Sequence, residues 1–174
     1  MKIRHAEPED VGGLREVFYR AWLVTYPNEE VGITKEDIEA YFKNSQDPDE
    51  LQKRADHIRN LPPNHVYLVA EEAAKIVGLL LLVKREVYDQ LQAIYILPEH
   101  HGKGIGTSLF NEALTHVTKD MIVQVATYNA NAIRFYEKLG FVDNGKRFTE
   151  ERHRMPVSGV LIPEMEMLRK LING

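Results

Sequence analysis

The chain has 174 residues, of which 44% are apolar and 28% charged, and a formal net charge of −4. This is the size and balance of one globular domain with a full core, and the acidic excess offers no general attraction for nucleic acid. The lack of cysteine excludes disulfides, thiolate metal sites and a cysteine acyl-enzyme, and it fits a cytoplasmic chain.

Met1 to Glu7 contains no apolar signal core, and the longest apolar run, Ile76 to Val83, falls well short of the ~20 residues that span a membrane. Ile3 to Ala6 reads as a short first strand. From Glu9 to Tyr26, the residues Leu14, Phe18, Ala21, Trp22 and Thr25 recur at helical spacing, and Pro27 ends the helix. Residues 34–61 are polar with sparse apolar positions and predict two short helices, parted at Asp47-Pro48-Asp49 and closed by Pro62-Pro63. Val66 to Ala70 predicts a strand, Glu72-Ala73-Ala74 a turn, and Lys75 to Val87 its partner. Leu91 to Leu97 is a further strand, cut by Pro98. Gly104 to Val117 predicts a helix with Ile105, Leu109, Ala113 and Leu114 inward. Met121 to Ala126 is nearly continuous in apolar residues, as a buried central strand is. Asn131 to Leu139 predicts a helix, and two strands are expected near Phe141–Thr149 and Met155–Leu168. The sum is a mixed α/β single domain.

The first stretch that carries chemistry runs Ile94-Tyr95-Ile96-Leu97-Pro98-Glu99-His100-His101-Gly102-Lys103-Gly104-Ile105-Gly106. A strand leads into a glycine-dense turn, and a helix starts within it. The glycines let the backbone turn tightly and approach a ligand without Cβ atoms in the way. The first amides of the helix are unpaired at the positive end of its dipole, a geometry that holds a pyrophosphate. Lys103 and His101 add positive charge. The plain alternative is a tight strand-to-helix turn. No Gly-x4-Gly-Lys-Ser/Thr is present, and the glycine spacing departs from the dinucleotide fingerprint.

The second stretch is Asn129-Ala130-Asn131-Ala132-Ile133-Arg134-Phe135-Tyr136-Glu137-Lys138-Leu139-Gly140-Phe141. Asn129 suits a helix N-cap and Gly140 the C-terminal end of the same helix. Together and in this order, the two stretches resemble the signatures of the GNAT superfamily of N-acetyltransferases. The first signature, Gln/Arg-x-x-Gly-x-Gly/Ala after a strand, is matched by His101 to Gly106, with His101 where Gln or Arg is usual. The second, Asn-x-x-Ala-x-x-Phe/Leu-Tyr-x-x-x-Gly-Phe, is matched throughout from Asn129 to Phe141. Ile162 to Met167 looks like the last strand of that family. Trp22-x-x-Thr25-Tyr26-Pro27 and Ile94 to Glu99 look most like its branch of bacterial polyamine N-acetyltransferases of the PaiA type.

The resemblance implies a mostly antiparallel twisted sheet flanked by helices, with a strand pair that splays beside the glycine loop to take the pantetheine arm of acetyl-CoA. It implies that His101, Gly102, Lys103, Gly104, Ile105, Gly106 and Thr107 hold the coenzyme's phosphates. Ile94 and Ile96 would offer main-chain groups to the arm, and a backbone N–H near Ile96 would polarise the thioester carbonyl. Asn129 would cap its helix and touch the arm. Tyr136 sits where the family's acid tyrosine sits, and would donate to the departing thiolate. The alternative for Tyr136 is a plain core tyrosine. The amine attacks directly, since there is no cysteine and no Gly-x-Ser-x-Gly elbow.

No base is assigned. Asp89 is a candidate, against its plainer reading as a surface-turn aspartate, and Glu29, Glu30 and Glu71 are acids for the amine entrance, against their plainer reading as solvated carboxylates. His100-His101 lacks the companions that a metal site needs, so no metal is expected. Phe18, Trp22 and Tyr26 either face an aliphatic amine or form a core stripe. The acceptor is a primary amine, with a polyamine-like small molecule as the leading reading and a protein N-terminus or lysine as the second. A non-catalytic acyl-CoA-binding sensor is the reading from another class. Exposed late strands leave homodimer pairing open.

Overall fold

A computed structural model of the chain describes residues 1–171. The chain opens with β1 (Lys2–His5) and three helices, α1 (Val11–Thr25), α2 (Lys35–Tyr41) and α3 (Pro48–Arg59). Three strands follow, β2 (His65–Glu72), β3 (Lys75–Lys84) and β4 (Asp89–Ile96). Then come α4 (Ile105–Leu114), β5 (Met121–Ala126), α5 (Ala130–Lys138), β6 (Val142–Phe148) and β7 (Glu164–Arg169). The seven strands form one sheet in the order β1-β2-β3-β4-β5-β7-β6. All neighbours are antiparallel except β4 and β5.

β3 is the centre of the core. Its apolar run does not alternate, and Val77, Leu79, Leu80, Leu82 and Val83 are all sealed from solvent. A strand buried on both faces needs cover on both, and α1 and α4 supply it. The β2–β3 hairpin turns through Ala73 and Ala74 at φ 49° and 59°. That left-handed pair matches the twist of the strands but is strained for alanine.

Two expected elements are shorter than the sequence pattern suggests. β3 stops at Lys84 rather than Val87, because Arg85 N donates to Tyr88 O (2.9 Å) and turns the chain into β4. Of the strand expected over Met155–Leu168, only the part from Glu164 forms, and it runs to Arg169. Pro156 and Pro163 lack ladder donors and Gly159 sits at φ 74°. The segment before β7 is therefore a loop, with a 3-10 turn at Glu151–His153.

Asp37 ties that loop down. Thr34 and Asp37 form a capping box at the start of α2, with Thr34 N donating to Asp37 Oδ2 (2.9 Å). Asp37 Oδ1 accepts from Val157 N (3.0 Å) and Ser158 N (2.8 Å). Burial pushes this carboxyl's pKa up, but the N–H groups of Thr34, Ser158 and Val157 outweigh it and hold the value down to about 2.

Asp89 corrects the surface-turn reading. It is fully buried, and its Oδ2 accepts from Thr118 N (2.8 Å) and Lys119 N (3.3 Å). It thereby closes the connection into β5 at the paired end of the β4–β5 ladder, away from the splayed end.

Candidate active site

The glycine loop turns as its composition demands. Gly102 and Gly104 both sit at φ 76°, where a Cβ would clash with the backbone itself. The amides of Gly102, Lys103, Gly104, Ile105, Gly106 and Thr107 have no hydrogen-bond partner among the described residues, and Ser108 N is the first to bond back, to Gly104 O (3.0 Å). A row of free amides at the start of α4 is a cradle for phosphate oxygens. Lys103 and Thr107 are exposed beside it, whereas the Ile105 side chain is core, so only its amide is available. Gly106 has a further reason to be glycine. A Cβ there would lie 3.1 Å from Phe135 Cζ, so its absence lets α5 pack against α4.

The approach to the loop is braced from α1. Arg20 makes a forked pair with Glu99, at 2.8 and 3.0 Å. His100 Nδ1 lies 3.2 Å from Glu72 but outside hydrogen-bonding geometry. His101 turns the other way, its Nε2 lying 3.0 Å from Ile96 O. A carbonyl can only accept, so the ring proton is on Nε2. The two adjacent histidines therefore serve different partners.

The splay expected from the resemblance is present. β4 and β5 pair only over Asp89–Leu91 and Met121–Val123. Gln92 is the extra residue of a bulge against β3, since Leu81 pairs with Ala93 and Leu82 with Leu91. Bulges bend the strand that carries them, and beyond this one β4 has no partner on its β5 side. Leu97 N donates to Val77 O of β3 (2.9 Å). By strand alternation the main-chain groups of Ile94 and Ile96 face the opening instead. In this structure His101 already occupies the carbonyl of Ile96.

Across the opening stands α5. Asn129 caps it, its Oδ1 accepting from Ala132 N (3.1 Å). The ring of Tyr136 is buried against Phe135 and Phe141, yet its hydroxyl makes no hydrogen bond within the described residues and is not sealed from solvent. Burial, and then the neighbouring Tyr95, push its pKa well above that of an ordinary phenol. The group is therefore protonated at neutral pH and able to donate.

The far side of the opening is aromatic and acidic. Trp22 lies on Tyr26 (4.4 Å between ring centroids) and stacks on Tyr41 (4.9 Å, 20° between planes). The phenols of Tyr26 and Tyr95 are 3.0 Å apart, and Tyr128 donates to Tyr26 O (2.9 Å). Glu164, paired with Ala126 where β5 ends, is buried, and its Oε2 lies 2.9 Å from His153 Nδ1. Burial raises the pKa of Tyr26, Tyr95 and Tyr128, and the Glu164 carboxylate is a lesser cause in each case. Glu150 brings a carboxylate oxygen into the same cluster, within 4.8 Å of the His153 and Glu164 ligand atoms.

Sequence reasoning did not single out Glu164, His153 or Glu150. The one signal was an acid directly after Pro163, in a strand where methionines alternate with glutamates. Of the acids it did weigh, Glu71 is bound to Arg4 Nε (2.8 Å) on the β1–β2 side, and Glu29 and Glu30 are exposed before α2. Phe18, Trp22 and Tyr26 pack as a core stripe does, against Tyr95, Tyr41 and Phe42 and one another.

A splayed parallel strand pair, an amide cradle at a helix start and a facing tyrosine define the N-acetyltransferase class of fold. The model of the acetyltransferase (GNAT) family matches residues 30–141, well over half of the chain, and the chain belongs to that family. Its fold is similar to the crystal structure of PaiA N-acetyltransferase from Thermoplasma acidophilum in complex with coenzyme A, with a TM-score of 0.72 and 22% identity over 98% of each chain. A probable N-acetyltransferase of Mycobacterium tuberculosis is 39% identical over 77 residues, 44% of this chain and 42% of that protein. The spermidine N(1)-acetyltransferase of Vibrio cholerae is 31% identical over 104 residues, 52% of this chain and 60% of that protein. The chain spans about half the length of the curated relatives it matches. Among the described residues no helix is long and apolar enough to cross a membrane.

Proposed function

We propose that the chain transfers an acetyl group from acetyl-CoA to a small cationic amine of the polyamine type. The observation that carries the choice of acceptor is the Glu164–His153 pair, its carboxylate buried and its imidazole half-buried, under an aromatic wall, on the side of the splay away from the glycine loop. Buried charge of this sign, beside the electron-rich faces of Trp22 and Tyr41, favours an ammonium. The spermidine acetyltransferase relative supports the same reading.

The residues divide the work. The free amides of Gly102–Thr107 and the Lys103 ammonium hold the phosphates, and the exposed edge of Ile94–Ile96 holds the arm. Acetyl-CoA supplies a thioester carbonyl. An alkyl ammonium has a pKa of ~10, so it must lose a proton before attack. An ionised Glu164 can only accept, which places the His153 proton on Nδ1 and leaves Nε2 to take the proton from the amine. The amine nitrogen bonds to the acetyl carbon and the C–S bond breaks. Tyr136 donates to the departing sulfur. A thiol pKa of ~8.5 lies below that of the phenol, so Tyr136 stabilises the thiolate by a hydrogen bond and keeps its own proton, and the thiolate takes up the second proton that the nitrogen sheds as the amide forms.

The test is thiol release from acetyl-CoA against spermidine, spermine, putrescine, an aminoglycoside and short peptides. The reading expects polyamines to be turned over best. It expects Glu164→Gln to raise the amine KM about tenfold or more and His153→Gln, which removes the proton acceptor, to lower kcat as well, both with coenzyme affinity unchanged. Preference for peptides, or variants that match the wild type, would overturn it.

A further inference from the structure

Arg15 lies on α1, far in sequence from the glycine loop, and is only 9% exposed. It makes no ion pair or hydrogen bond with any described residue, and its Nε is sealed and unpartnered. A guanidinium stays charged in a protein, and burying it without a carboxylate is costly. Burial, and then the nearby Arg54, lower its pKa to about 10. Contacts with the rings of Phe42 (5.0 Å) and Phe18 (5.8 Å) satisfy the faces of the group but none of its N–H donors.

Arg15 lines an open pocket of about 770 Å³ between α1, the end of α2 and the start of α3. Arg54 and Lys43 stand on the same walls. The acids Asp47, Asp49 and Glu50 also line the pocket, and Glu50 is bound by Lys53 (2.7 Å). The start of α3 also faces the pocket. Asp47 makes no side-chain cap there, and Leu51 N is the first amide to bond back, to Asp47 O (2.9 Å). A buried, unpaired, forked donor and free amides at the positive end of a helix converge on one space. We propose that this pocket binds a small molecule through an oxyanion, carboxylate or phosphate, held by Arg15 and Arg54. No residue of the glycine loop lines it, so it is a second binding site, and its existence does not depend on the identity of the amine acceptor.

The experiment measures thermal unfolding of the full chain with increasing inorganic phosphate or succinate, against sodium chloride at matched ionic strength. Wild type, Arg15→Met and Arg54→Gln are compared, each with and without saturating coenzyme A. Methionine keeps an apolar stem on the Phe42 ring, and Arg54 is exposed, so its substitution leaves the core intact. The expected result is a saturable rise in wild-type Tm that survives coenzyme A and needs at least tenfold more anion in both variants. A response to phosphate alone assigns a phosphate-bearing ligand, and a response to succinate alone a carboxylic acid. No rise beyond that of chloride would overturn the proposal. So would a rise that persists in Arg54→Gln or disappears with coenzyme A, since that would place the anion in the glycine loop.

Discussion

Asp37 joins two separate parts of the fold through one carboxylate. It caps α2 and at the same time holds Val157 and Ser158, which close the loop carrying His153. Its pKa of about 2 lies below the ordinary 3.8, a difference worth about 2 kcal/mol at 1.36 kcal/mol per pKa unit. Because the folded value is depressed, this stability is complete above the unfolded pKa and is lost as pH falls from about 4 through about 2. Asp37→Asn keeps the shape and removes the charge. We expect it to cost about 2 kcal/mol at pH 7, or roughly 4–8 °C in Tm for a chain of this size. Urea unfolding of both proteins at pH 7 and near pH 2.5 measures the gap, which will narrow at the lower pH. A gap that does not change with pH, or one below about 0.5 kcal/mol at neutral pH, would refute the assignment of charge-assisted bonds to Asp37.

Four further outcomes follow from the geometry. Gly104→Ala forces a Cβ into a left-handed residue at a cost of about 1–2 kcal/mol, so coenzyme affinity will fall about tenfold by calorimetry while the fold persists. Replacing Ala73-Ala74 by Asn-Gly relieves two left-handed alanines and will raise stability by about 1–2 kcal/mol with turnover unchanged. His101→Gln preserves a donor for Ile96 O and will bind coenzyme like the wild type, whereas His101→Leu frees that carbonyl and will loosen the loop, seen as faster amide exchange from Ile96 to Gly104. Tyr136 must be protonated to act, and its raised pKa keeps it so, hence kcat will show no loss from its ionisation up to about pH 10.

The parts of this molecule written in local sequence were legible. Free amides at Gly102–Thr107 follow from glycine density before a helix, and the Asn129 cap follows from side-chain chemistry one turn long. The splay was not visible in the residues themselves and came only from the resemblance, because it depends on a bulge at Gln92 and on where β5 ceases to pair. Asp89 was misread for the same reason: what buries it is the chain at residues 118–120, about thirty residues on. The break before β7 is written in Pro156, Gly159 and Pro163, which the expectation of one strand over Met155–Leu168 ran across. Glu164 and His153 meet only once that break is made, since the loop folds back to lay the imidazole on the strand. No periodicity encodes such a contact. Gly106 shows the converse limit: its motif was recognised, but the reason for the residue is partly the Phe135 ring 3.1 Å from where a Cβ would be.

Acyl transfer with Tyr136 as the hydrogen-bond donor to the leaving thiolate is most directly tested by single-turnover thiol release from acetyl-CoA with spermidine, for wild type and Tyr136→Phe, alongside coenzyme binding by calorimetry. The prediction is a loss on the order of 10²-fold in the chemical step with coenzyme affinity within about twofold. Equal rates in the two proteins, or loss of coenzyme binding in the variant, would contradict it and return Tyr136 to the core.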